Sequence, residues 1–107
     1  MFGRKKKHNI VKWAEAIYEK PLLHPERESE EQLAALTEML ILQDIRIIND
    51  SVSIIHNTRN ADTKQGRIDL AQKRYRHLLT LKEYARPVAD KELLKKIAAT
   101  EQAMKTI

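Results

Sequence analysis

The sequence of 107 residues contains no cysteine and only two glycines. The lack of cysteine excludes disulfide frameworks, thiolate metal sites and cysteine nucleophiles. The two glycines, Gly3 and Gly66, are too few and too far apart to build a phosphate-cradling loop or a dinucleotide-binding fingerprint. These absences remove several large enzyme classes from consideration.

Long apolar runs and turn-forming residues are also scarce. No run reaches the roughly 18 apolar residues of a membrane-spanning helix. The chain starts with basic residues, as a signal peptide does, but Lys12, Glu15 and Glu19 interrupt the apolar segment that a signal peptide needs. We therefore expect a cytoplasmic protein. With only two glycines and three prolines, the sequence lacks the frequent turn signals of a β-sheet and favours helices.

Helical periodicity and capping residues divide the chain into four predicted helices. The first covers about residues 9–19, with Asn9 as its N-cap, and the proline-containing segment 20–28 follows it as a linker. Ser29 is the predicted N-cap of the second and longest helix. The predicted N-caps of the third and fourth helices are Asp62 and Asp90.

The short turn between the second and third helices predicts that they pack antiparallel. The predicted fold class is therefore all-α: a long antiparallel hairpin over residues 29–85, with a short N-terminal helix and a C-terminal helix that complete a three- to four-helix bundle. A chain of this length is expected to form one domain, residues 1–107, with a disordered basic terminus at residues 1–8. The predicted apolar face of the third helix consists of Ile68, Ala71, Tyr75, Leu78 and Leu79.

One apolar face of the second helix carries a carboxylate. Asp44 and Ser51 lie between two apolar stripes, whereas Asp50 points to the opposite side and is expected to be solvated. A buried carboxylate needs a partner, and antiparallel pairing places Asp44 opposite Arg74. We predict an Asp44–Arg74 ion pair with His77 as a neighbour, and a Ser51 hydroxyl that bonds to a carbonyl of its own helix. The main apolar stripe consists of Ile41, Ile45, Ile48, Val52 and Ile55.

The Asp44–Arg74 pair has two interpretations. It is a structural ion pair that fixes the register of the hairpin, or it is the centre of a small-ligand-binding or enzymatic helical bundle. The four histidines match no metal-ligand spacing, no serine lies in a nucleophile elbow, and no second carboxylate on this face completes an acid–base pair. We predict the structural role, with no catalytic residue, metal, cofactor or small-molecule substrate.

Positive charge suggests a different class of function. The net charge is +5, but residues 28–57 hold one Lys or Arg against six Asp or Glu, whereas residues 58–86 hold eight against three. Opposite blocks of this kind are typical of neighbours in one fold, although concentrated basic residues are also typical of nucleic-acid binders. A nucleic-acid-binding accessory protein is therefore an alternative, and peripheral contact with an anionic membrane is a weaker one. The residues expected to make such contacts are Arg4, Lys5, Lys6, Lys7, Lys73 and Arg76.

Apolar residues cover about half the circumference of the second helix, which is more than one partner helix buries. An exposed apolar patch usually marks an interface. We therefore predict a non-catalytic interaction module that associates with itself as a homodimer or with another protein. In the competing arrangement, the first and fourth helices cover the second stripe and close the bundle. The stripe expected to self-associate consists of Leu33, Leu36, Leu40, Ile47 and Ile54.

Overall fold

The computed structural model describes residues 10–85 and 89–107, and in these ranges the protein consists of four α-helices without a strand. The predicted all-α class is confirmed. A single 3-10 turn, Pro25–Arg27, interrupts the linker before the longest helix. The four helices are α1 (Ile10–Tyr18), α2 (Glu30–Asn57), α3 (Ala61–Ala85) and α4 (Lys91–Met104).

Side-chain oxygens cap the N-termini of three helices. Ser29 Oγ accepts a hydrogen bond from the Gln32 amide of α2, and Asp90 Oδ1 accepts one from α4, so both predicted caps are confirmed. The prediction of Asp62 as the cap of α3 is wrong, because the helix already begins at Ala61. The cap is Asn60, whose Oδ1 accepts a hydrogen bond from the amide of Thr63 at 2.9 Å. Asparagine and aspartate cap equally well, so the sequence alone offered two candidates. The predicted cap at position 9 lies outside the described residues.

The long helices α2 and α3 form the predicted antiparallel hairpin, joined by the short turn at residues 58–60. α1 and α4 pack on opposite sides of this hairpin and give the described protein a flat shape of 55 × 32 × 18 Å. α1 touches α2 at Thr37, whereas α4 touches it at Asn49, which lies on another side of the helix. The main apolar stripe of α2 is buried as predicted: Ile41, Ile45, Ile48, Val52 and Ile55.

The buried face of α3 differs from the predicted face. Leu79 is 37% exposed, whereas Leu81 and Ala85 are buried with Ala71 and Leu78. The predicted face was chosen for its large apolar side chains. The observed face is rotated towards Leu81 and Ala85, and this orientation directs Arg74 and His77 towards Asp44.

α4 runs along the hairpin from its open end to its turn. Ile97 is fully buried in the core, and α4 packs mainly on α2. Lys82 Nζ donates to Glu101 Oε2 at 3.1 Å, which links α3 to α4. At the other end, His56 Nε2 lies 2.7 Å from Thr106 Oγ1. This side of the hairpin is therefore covered over most of its length.

α1 is anchored by the single tryptophan of the chain. Trp13 is 2% exposed, and its indole Nε1 donates a hydrogen bond to Thr37 Oγ1 at 2.8 Å. The Thr37 hydroxyl in turn donates to the carbonyl of Leu33, so this buried polar contact is satisfied on both sides. The indole also stacks on Tyr84 of α3, with ring centroids 5.9 Å apart. Trp13 thereby contacts both helices of the hairpin.

Ser51 departs from the sequence prediction. Its side chain is completely buried in α2, but its hydroxyl has no hydrogen-bond partner in the described structure. The prediction that it bonds to a carbonyl of its own helix is therefore wrong. A buried hydroxyl without a partner costs free energy because it has lost its hydrogen bonds to water.

We predict that Ser51→Ala stabilises the protein more than Ser53→Ala, its exposed neighbour on α2. Both changes bring the same gain in helix propensity, but only the first removes an unsatisfied buried hydroxyl, which should add about 1 kcal/mol to the free energy of unfolding. Chemical denaturation of the two variants measures the difference. A lower stability of Ser51→Ala would show that its hydroxyl is bonded in the native protein.

Candidate functional site

Asp44 is buried near the middle of α2 and is held by two cations of α3. The residue is 1% exposed. Its Oδ1 accepts a hydrogen bond from Arg74 Nη1 at 3.3 Å, and its Oδ2 lies 2.5 Å from His77 Nδ1. Asp44 thus lies beside the predicted partner Arg74, but His77, which was expected only as a neighbour, makes the shorter contact. The spacing of Arg74 and His77 by three residues puts both on one face of α3.

Both ring nitrogens of His77 face acceptors. Nε2 lies 3.1 Å from the carbonyl oxygen of Ala16 in α1, and Nδ1 faces the Asp44 carboxylate. A carbonyl only accepts hydrogen bonds, so Nε2 carries a proton, and an ionised carboxylate requires a proton on Nδ1 as well. The geometry therefore fits the imidazolium form. The hydrogen bond to Asp44 raises the pKa of His77, although burial of the ring acts in the opposite direction.

Glu19 completes the cluster from the end of α1. Its amide donates to the Glu15 carbonyl, and its φ of 58° places it in the left-handed region that favours glycine. A non-glycine residue there costs about 1–2 kcal/mol. In this conformation the Glu19 carboxylate reaches Arg74 Nη2 at 3.1 Å and lies 4.0 Å from His77 Nε2. These ion pairs offset only part of the backbone cost, because the Glu19 side chain is half exposed.

No pattern in the sequence indicated that Glu19 belongs to this cluster. It lies 25 positions from Asp44 and 55 from Arg74, and it is placed by the way α1 packs on the hairpin. His77 was noticed from the sequence, but its contact with α1 could not be, because no periodicity connects two helices that are joined by a linker.

The four side chains form a polar cluster that joins α1, α2 and α3. Two carboxylates balance two cations, and the polar atoms of Asp44 and His77 are all engaged with protein groups. Neither ring nitrogen of His77 is left to contact a substrate.

No group of three potential metal ligands is present among residues 10–85 and 89–107. A cavity of about 220 Å³ lies elsewhere, between α2 and the start of α4, and it includes no cluster residue. This arrangement supports a structural role for the cluster.

The basic residues that were predicted to contact nucleic acid are only partly described. Positions 4–7 lie outside the described residues. Lys73 and Arg76 are exposed on α3, but helical spacing puts the exposed Asp69 and Glu83 on the same face. Two acidic and two basic side chains therefore share this face.

In the folded protein, the stripe predicted to self-associate contains one buried residue and four half-buried residues. Leu33 has no exposed surface, so it belongs to the core and its assignment to an association surface is wrong. Leu33 is buried because it lies near the start of α2, where α1 packs against the hairpin. The remaining four residues, which we call the α2 stripe, are half-buried: Leu36, Leu40, Ile47 and Ile54.

Comparison of the chain with protein-family models, curated protein sequences and solved structures found no match. Among the described residues, no helix combines the length with the apolar composition that a bilayer crossing requires. The function is therefore argued from the geometry of the chain itself.

We predict that Asp44→Ala lowers the free energy of unfolding by about 3–5 kcal/mol, because it leaves the cations of α3 partly buried without their shared carboxylate. The control is Asp50→Ala on the same helix. Asp50 is exposed, so its replacement should change stability by no more than about 0.5 kcal/mol. Urea denaturation followed by circular dichroism compares them, and equal stabilities would contradict the buried cluster.

The second prediction for this site concerns the protonation of His77. An NMR titration should give a His77 pKa above the value of about 6.5 for an unperturbed imidazole. Because the folded-state pKa is raised, the stabilisation by protonated His77 is complete below about pH 6.5 and is lost as the pH rises through the folded-state value. Asp44→Asn should lower the pKa, whereas Asp50→Asn should not. A wild-type pKa at or below that of the free imidazole would contradict the assignment.

Proposed function

We propose that this protein is a non-catalytic helical interaction module whose partner is a second copy of itself. The observation that carries the proposal is the α2 stripe, a row of half-buried apolar side chains that α1 and α4 leave partly exposed. Leu36 and Leu40 also pack against the core, so a partner would cover the exposed part of these side chains together with that of Ile47 and Ile54.

The packing of α1 and α4 explains why the stripe is open. α1 ends at Tyr18, and the chain turns back at Glu19, level with Asp44. Ile47 and Ile54 lie about one and three turns beyond this point on α2. α4 packs on another side of α2, where Thr100 meets Asn49. Neither helix reaches the lower half of the stripe.

The spacing of the α2 stripe fits a helix–helix seam. Leu40, Ile47 and Ile54 repeat every seven residues, and Leu36 precedes them by four. A seven-residue repeat keeps these side chains in one row along a packed partner helix. From Leu36 to Ile54 the row extends over about 27 Å at the rise of an α-helix. Met39, which is 64% exposed, lies beside its upper end.

A twofold axis is the commonest symmetry for such an association. If the axis passes near Ile47, two α2 helices pair antiparallel, and Leu40 of one copy meets Ile54 of the other. Arg46 then lies within reach of Asp50 of the second copy, and both are exposed in the monomer. The apolar row and its flanking charges are therefore self-complementary in this arrangement.

We predict that the wild-type protein sediments at equilibrium as a dimer at micromolar concentration, with twice the 12.5 kDa mass of the chain. Ile47→Glu should give a monomer, because it places two like charges at the axis. Leu79→Glu, at an exposed apolar position of α3, is the control and should leave the dimer intact. A wild-type protein of 12.5 kDa would contradict self-association.

The absence of cysteine allows a direct test of the axis. Ile47→Cys introduces one thiol per chain, and mild oxidation should link two chains because residues near a twofold axis face their own copies. Leu94→Cys on α4 is the matched control with a thiol away from the stripe. Equal cross-linking of the two variants on a non-reducing gel would place the contact elsewhere.

A further inference from the structure

His77 of α3 lies at the C-terminal end of α1 and bonds to that helix. Ala16 belongs to the last turn of α1, where carbonyl groups have no partner within the helix. The Ala16 carbonyl is 3.1 Å from His77 Nε2, so the histidine caps α1 from a neighbouring helix. A cation at this end of a helix is also favoured by the helix dipole.

Charged groups from each of the three helices face His77. α2 contributes Asp44, whose carboxylate holds Nδ1, and α1 contributes Glu19, whose carboxylate is 4.0 Å from Nε2. On α3 itself, Arg74 shares both carboxylates with His77. The imidazolium therefore lies between an acceptor on the hairpin and an acceptor on α1.

Loss of one proton affects these two contacts unequally. The carboxylate of Asp44 is the stronger acceptor, so a neutral His77 keeps its proton on Nδ1. Nε2 then presents a lone pair to the carbonyl oxygen of Ala16, and the hydrogen bond between α3 and α1 is replaced by a repulsive contact. Water can satisfy both atoms only if the end of α1 moves away.

We propose that protonation of His77 controls how firmly the C-terminal turn of α1 is held against the α2–α3 hairpin. Protonated His77 caps α1 and ties it to Asp44, and neutral His77 loosens this turn. The start of α1 stays attached through Trp13, and the Glu19–Arg74 ion pair limits how far the loosened turn moves. The inference does not depend on self-association, because all the contacts lie within one chain.

Hydrogen exchange of the wild-type protein tests the proposal. Protection factors, which correct for the rise of intrinsic exchange with pH, are measured for α1 and α2 from about pH 6 upwards. Protection at the C-terminal end of α1 should fall by up to about tenfold per pH unit, the limit for release of one proton, and then level off. Protection of α2 should also decline, because global stability falls with the same proton release, but it should stay above that of the α1 turn at every pH. Constant protection of the α1 turn, or protection equal to that of α2 at every pH, would overturn the proposal.

Variants assign the effect to one histidine. His77→Gln should abolish the pH dependence of α1 protection, whereas His56→Gln, at an exposed histidine near the hairpin turn, should retain it. Glu19→Gln removes the ion pair with Arg74 and should enlarge the loss of protection. Trp13 emission supplies a control: it should not shift, because the start of α1 stays packed through Trp13. Persistence of the transition in His77→Gln would overturn the proposal, and the wild-type titration decides it if that variant does not fold.

Discussion

The carboxylate of Asp44 has almost no contact with solvent, and its need for cationic partners constrains how the helices meet. Arg74 and His77 of α3 bind this carboxylate, and their contacts fix the register of α3 relative to α2. A shift by a single residue would turn both cations away from Asp44. The same two side chains then bind α1, through Glu19 and the Ala16 carbonyl. One buried charge therefore organises three of the four helices.

The position of α1 decides which part of the hairpin remains open. Trp13 fixes the start of α1 near the open end of the hairpin, and Glu19 fixes its end beside Asp44. This short helix covers only the upper part of its side, whereas α4 and the residues that follow it run along the other side down to Thr106. The lower part of the α2 stripe stays partly exposed because of this difference in length. The cluster and the proposed association surface thus follow from the same packing of α1.

Several features were predictable because they depend on residues close together in sequence. The apolar stripe of α2 follows from a repeat that a single helix converts into one face, and Ser29 and Asp90 cap helices through contacts three residues away. The prediction of the Asp44–Arg74 contact also required only one assumption, which is that a short turn makes the two helices antiparallel. The face of α3 was harder to predict, because Leu79 and Leu81 are equally apolar and only packing against α2 distinguishes them.

The sequence by itself determined the helical class, the hairpin and the burial of Asp44, because local periodicity and capping chemistry dictate them. Only the tertiary structure decided that His77 bridges two helices, that Glu19 adopts a left-handed conformation and that Leu33 belongs to the core. These features depend on where α1 lies after a linker with no periodic pattern. The position of α1 is set by contacts between residues that are distant in sequence. Those contacts stabilise the protein only once the helices have packed.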